Sequence, residues 1–140
     1  MIMKFHLILK ILLFLSFGVP SLAVAQNTKN QESTSRYSVQ IDMSQAYVGG
    51  ICIIKGNGTS LNVSIVNEFG ISMMTFRYEH EKGKIKILNC IKQLNKPFIK
   101  KVLKKDFKII LREYLTQETQ RRPIQHNNLK YNITYNLLPL

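Results

Sequence analysis

Residues 47–65, YVGGICIIKGNGTSLNVSI, hold the reading on which the fold turns. Two runs of strand length are separated by Gly56-Asn57-Gly58, residues that tolerate positive φ and so mark a tight hairpin. The first run, Tyr47 to Lys55, is apolar on both faces and is the expected most-buried strand. Gly49-Gly50 inside it signals a bulge or a sharp bend, as where a sheet curls. The second run alternates, with Leu61, Val63 and Ile65 on one face and Asn62 and Ser64 on the other.

The same period of two extends in both directions. On the N-terminal side, Tyr37 to Asp42 alternates. Beyond the tight connection Glu68-Phe69-Gly70, the segment Ile71 to Glu79 sets Met74, Phe76 and Tyr78 against Thr75, Arg77 and Glu79. Glu81-Lys82-Gly83 turns the chain again, and Lys84 to Cys90 sets Ile85 and Ile87 against Lys84 and Lys86. Connections this short join antiparallel neighbours, so the segments form a meander. The period then becomes helical. Asn95 is the expected N-cap and Pro97 falls in the first turn, where its missing N–H costs nothing. Phe98, Val102, Phe107, Ile110, Leu111 and Tyr114 recur on one face, opposite Lys100, Lys101, Lys104, Lys105 and Lys108. This predicts one amphipathic helix over about residues 96–114, its apolar stripe laid on the meander. Residues 116–128 are polar, contain Pro123 and read as a loop. Residues 129–138 alternate again, with Leu129, Tyr131, Ile133, Tyr135 and Leu137 on one side, as a strand returning to the sheet edge. The predicted class is α+β, mainly β: a curled antiparallel meander, or half-barrel, of about six strands with one amphipathic helix on its apolar face.

Residues 1–25 read as a cleavable signal peptide. Lys4 and Lys10 precede a short apolar core over residues 11–19, Pro20 breaks it, and Ala23 and Ala25 occupy the positions a signal peptidase reads. The core is about half the ~20 apolar residues of a spanning helix. Residues 26–36 are polar and aperiodic, a flexible leader to a single domain over 37–140. The expected location is therefore outside the cytoplasm, in the periplasm or at the outer membrane, with no Cys near the cleavage site to carry a lipid anchor. Of the +12 formal charge only two come from residues 1–25; the excess points either to an anionic neighbour such as lipid head groups or surface polysaccharide, or simply to solubility. Nucleic acid is not an expected partner in that compartment.

No catalytic constellation is legible. His80 lies between Glu79 and Glu81, but consecutive strand residues face opposite ways. Glu68 reads as a turn residue, and Asp106 is expected to pair with the lysines around it across a helix turn. His80 and His126 lack metal-ligand spacing, so no metal or cofactor is expected. Cys52 and Cys90 either pair, as export permits, or are small buried hydrophobes.

Taken together, Gly50-Ile51-Cys52-Ile53-Ile54-Lys55, the turn Asn67-Glu68-Phe69-Gly70, the strand Ile71 to Tyr78, and Lys84-Ile85-Lys86-Ile87 followed by a helix resemble the Lol-type outer-membrane lipoprotein carrier and receptor proteins, in particular small exported Bacteroidetes-type relatives. The resemblance implies an unclosed antiparallel β-barrel with a helical plug that binds acyl chains of a lipid or lipoprotein. This chain is shorter than those proteins and lacks the receptor's acceptor Cys. If the sheet does shelter an acyl chain, alternation nominates Ile51, Ile53, Val63, Ile65, Met74 and Phe76 as its lining. Lys100, Lys101, Lys104, Lys105 and Lys108 would then face an anionic membrane. The expected function is that of a non-catalytic envelope protein holding acyl chains; the alternative is a structural or interaction module with a filled core and no ligand. N-terminal sequencing of the protein recovered from its host should begin at Gln26, and a chain that still carries Leu12 to Phe17 would refute the export reading.

Overall fold

The computed structural model describes residues 32–117 and 119–140. Ala23 and Ala25, read above as the expected signal-peptidase positions, lie outside that range. Five strands run in succession: β1 (Ser33–Asp42), β2 (Tyr47–Gly56), β3 (Ser60–Val66), β4 (Ser72–Glu79) and β5 (Lys84–Cys90). The helix α1 (Pro97–Thr116) follows, then β6 (Ile124–Asn128) and β7 (Ile133–Pro139). All seven strands belong to one antiparallel sheet in the order β5-β4-β3-β2-β1-β7-β6. The expected class holds: a curled, mainly β half-barrel with one helix on its apolar face.

The turns form for the reasons the sequence suggests. Between β2 and β3 the Asn57 side-chain oxygen accepts hydrogen bonds from the backbone N–H groups of Thr59 (3.0 Å) and Ser60 (3.2 Å). Between β3 and β4, Asn67 does the same for Phe69 and Ile71, and Gly70 takes φ 78°. Gly50 is required by close approach, since a Cβ there would stand 1.9 Å from the Val66 carbonyl oxygen. The irregularities in pairing lie outside β2: one beside Gly50 at Ile65/Val66 of β3, the other at Thr75/Phe76 in the β4–β5 ladder.

The curl can be read from one side chain. The Phe107 ring of α1 lies 4.9 Å from the ring of Phe76 on β4 and 5.6 Å from that of Tyr135 on β7. In the sheet order β4 and β7 are four inter-strand steps apart, roughly 19 Å on a flat sheet at about 4.8 Å per step. One ring meets both because the sheet wraps around the helix. Accordingly α1 approaches both free edges. Lys108 lies beside Gly83 in the β4–β5 turn, and Asp106 bonds to Asn128 on β6. Val102, Leu103, Phe107, Ile110, Leu111 and Tyr114 are buried in one cluster with Val63, Ile65, Met74 and Phe76.

Several expectations need correction. Ser33 to Arg36 are not leader but the start of β1, paired with Gly56 back to Ile53. Their polarity hides this, because a ladder is made by backbone groups, and the Ser35 hydroxyl is taken up by Tyr114 at 2.8 Å. The loop over 116–128 contains β6, where only Ile124 carries an apolar signal. The last strand begins at Ile133, not at Leu129; residues 129–132 form the β6–β7 turn, with Asn132 at φ 53°. The helix N-cap is Lys96 rather than Asn95, without a side-chain cap bond, and Phe98 on the expected stripe is 57% exposed.

These contacts set the energetic expectations. Phe107→Ala should cost about 3–5 kcal/mol, as other buried aromatic truncations do, and Lys104→Ala less than about 0.5 kcal/mol. Val63→Phe should overpack the filled concave face and cost about 1–3 kcal/mol. Denaturant unfolding measures all three, and a stability left unchanged by Val63→Phe would mean that the interior has room.

Candidate functional site

On the outer side of α1, five lysines stand at helical spacing along one groove. Lys100, Lys101, Lys104, Lys105 and Lys108 line it together with Pro97, Ile85 of β5 and Gly83, around a volume of about 390 Å³. The structure therefore brings together all five of the basic residues singled out in the sequence. Among the described residues the ion pairs are Lys82–Glu79 and His126–Asp106. None of the five helix lysines has a carboxylate within bridging distance there.

The reason lies in Asp106. It does not pair with its lysine neighbours, as its charge suggested, but points inward and is only 2% exposed. Its position decides this: Val102 and Ile110 lie four residues to either side of it on the buried stripe. Inside, the Tyr135 hydroxyl donates to it at 2.6 Å and the Asn128 amide donates to both its oxygens at 3.0 and 3.1 Å. His126 Nε2 stands 3.4 Å away. The only acid in the lysine-bearing part of α1 is thus consumed by β6 and β7, and the outer face is left with one sign of charge.

Burial first, and then the hydrogen bond and charge of Asp106, hold the Tyr135 hydroxyl well above the ordinary tyrosine range. The cluster ties α1 to β6 and β7. Every buried side-chain polar atom among the described residues has a partner, and no Ser, Thr or Cys nucleophile bonds to His126 there. His80 is likewise occupied, by the Tyr78 hydroxyl at 3.2 Å. At the helix C-terminus, Arg121 donates to the carbonyls of Gln117 (2.7 Å) and Tyr114 (3.5 Å) and lies over the Tyr114 ring.

The nominated acyl-chain lining is not gathered around a space. Val63, Ile65, Met74 and Phe76 share the concave face and are packed on α1. Ile51 and Ile53 lie on the opposite, convex face, and Ile51 is 38% exposed. The register Cys52↔Ile65 and Ile54↔Val63 shows that Cys52 and Ile54 are the inward residues of β2. Cys52 and Cys90 are free. They lie at the ends of the row Cys52-Ile65-Met74-Cys90, three strand spacings or roughly 14 Å apart, beyond the ~7 Å limit for a disulfide.

A second groove, of about 570 Å³, opens between α1 and the β6–β7 hairpin. Phe98, Ile109, Leu129 and Tyr131 are among its walls, and it shares Lys101 and Lys105 with the first groove. Sequence reasoning misses this patch, because the alternation through Leu129 and Tyr131 reads as strand. The flanking Asn127-Asn128 and Asn132 are the signal of a turn there. Among the described residues no group of three His, Cys, Asp or Glu side chains is placed to hold a metal ion, and no helix is long and apolar enough to cross a membrane. Comparison of the chain with protein-family models, with curated proteins and with solved structures gave no match.

Two measurements follow from these environments. Because the folded state holds the Tyr135 proton more tightly than the unfolded chain, its contribution is complete below the ordinary tyrosine pKa of 10.0 and is lost as pH rises past it. Burial pushes the Cys52 thiol from 9.0 up to about 12, which adds an alkaline loss of the same sign between those values. Tyr135→Phe should therefore flatten the fall of stability above pH 10, and Asp106→Ala should cost about 1–3 kcal/mol for each buried donor it strands. An alkaline profile unchanged by Tyr135→Phe would contradict the assignment.

Proposed function

We propose that this chain is a non-catalytic, exported protein of the cell envelope that docks peripherally on an anionic lipid surface through the lysine face of α1. One observation carries the reading: five lysines line a single groove with no acidic partner among the described residues. A face that serves solubility alone mixes both signs of charge. Here the acid on that stretch of helix is buried and the cations are left unopposed. The filled concave face is equally compatible with the alternative of a structural module without a ligand, and the lysine groove favours docking over it. An acyl chain inside the sheet, as the family resemblance implied, would have to displace α1 from Val63, Ile65, Met74 and Phe76. Lipid recognition is therefore assigned to the outer surface.

Each basic residue close to an anionic membrane contributes about 1 kcal/mol, so five give roughly 5 kcal/mol before ordering costs. That corresponds to a submillimolar, reversible and salt-sensitive association. Co-sedimentation with phosphatidylglycerol vesicles should show binding that falls steeply with salt, against little binding to phosphatidylcholine. Lys104→Glu with Lys108→Glu should weaken it at least tenfold while leaving the circular dichroism spectrum unchanged. Equal pelleting with charged and neutral vesicles would reject the proposal.

A further inference from the structure

Leu129 is 91% exposed, at the turn of the β6–β7 hairpin. It is not an isolated surface leucine. Tyr131 follows on the same turn, and its ring meets the ring of Phe98 from the first turn of α1 at 5.0 Å and 82°. Lys130 places its ammonium 5.3 Å from the centre of the Tyr131 ring. The hairpin is held firmly behind this tip: Asn128 accepts from the Tyr131 N–H at 3.2 Å and its amide is fixed on Asp106. The result is a mounted apolar projection with cations at its base. Lys101 and Lys105 wall both this groove and the lysine groove, so the projection and the basic face form one continuous surface.

An exposed leucine, two aromatic rings and a surround of lysines match what the boundary between head groups and acyl chains accepts: an apolar tip, amphipathic rings at the interface and ammonium groups in the anionic layer. We infer that the β6–β7 turn together with Phe98 is a membrane-insertion prong, in which Leu129, Phe98 and Tyr131 enter the leaflet while the lysines hold its anionic head groups. The inference rests on the anionic-surface reading and deepens it. A cluster of lysines alone gives weak, salt-sensitive binding, whereas an inserted apolar tip adds a component that salt does not screen. Charge decides against a second copy of the chain as the occupant, because two such faces brought together would set lysine against lysine.

The chain contains no tryptophan, so Leu129→Trp supplies a single reporter at a position whose exposure makes the change neutral for folding. With protein purified from its host, phosphatidylglycerol–phosphatidylcholine vesicles should shift the indole emission to the blue. Lipids brominated on their acyl chains should quench it. Leu129→Asp, with every lysine retained, should weaken vesicle binding on the order of 10- to 100-fold, as expected for losing the burial of one leucine, and should remove most of the binding that survives high salt. If the Leu129→Trp protein pellets with anionic vesicles while its indole stays open to aqueous iodide and untouched by brominated chains, the prong is refuted and surface docking stands. Absence of pelleting altogether overturns both. A blue shift that appears without lipid, grows with protein concentration and accompanies a dimer in sedimentation velocity overturns the prong in favour of a contact between copies.

Discussion

The structure depends on one helix serving both ends of a sheet. Phe107 is the centre of that arrangement, its ring against Phe76 of β4 on one side and Tyr135 of β7 on the other. A flat sheet would keep these partners apart and leave much of its apolar face in water. Curling lets a single helix stripe cover the inward residues of the sheet, and the burial of those large side chains is the main force opposing the entropy of ordering the chain. The register irregularities of the β3–β4 and β4–β5 ladders, the first beside Gly50, are the kind of feature that bends a strand in this way.

Asp106 fixes how α1 is rotated in that trough. A buried carboxylate is costly unless its oxygens are satisfied, and here Tyr135 and Asn128 saturate them. Turning the helix about its axis would carry the charge away from these donors and strand them. Such a group contributes less to net stability than to uniqueness of packing. The same rotation decides what the solvent meets. With position 106 inward, the residues at 101, 104, 105 and 108 must point outward, and all four are lysine.

Much of this is legible in the sequence, and the failures share a physical cause. Alternation at Leu61-Val63-Ile65 and Met74-Phe76-Tyr78 marks the strands and their inward faces, and the change of period after Cys90 marks the helix. Parity is lost at Ile51 and Ile53 because a strand apolar on both sides does not declare which face is covered; only its neighbours' register does. The start of β1 and the whole of β6 escape such a reading because pairing is made by backbone amides that polar side chains neither help nor announce. At Asp106 the charge misleads, and its position in the helical period is the better guide. Leu129 and Tyr131 mimic buried strand residues, since alternation cannot distinguish a strand face from an exposed turn that continues the rhythm.

The sheet order also governs when the molecule can be completed. β1 is synthesised first, yet its second neighbour is β7, and that pairing joins Tyr37 to Pro139 across almost the whole domain. Until the last residues arrive, the five-stranded meander presents β1 as an open edge, with Tyr37, Val39 and Ile41 poorly covered beside it. Contacts of such sequence separation close late, after a large loop entropy has been overcome. A partly made chain is therefore neither able to finish folding on the ribosome nor safe from pairing with another copy. The C-terminal hairpin is the latch that ends this delay, since β7 is the strand that covers the β1 edge.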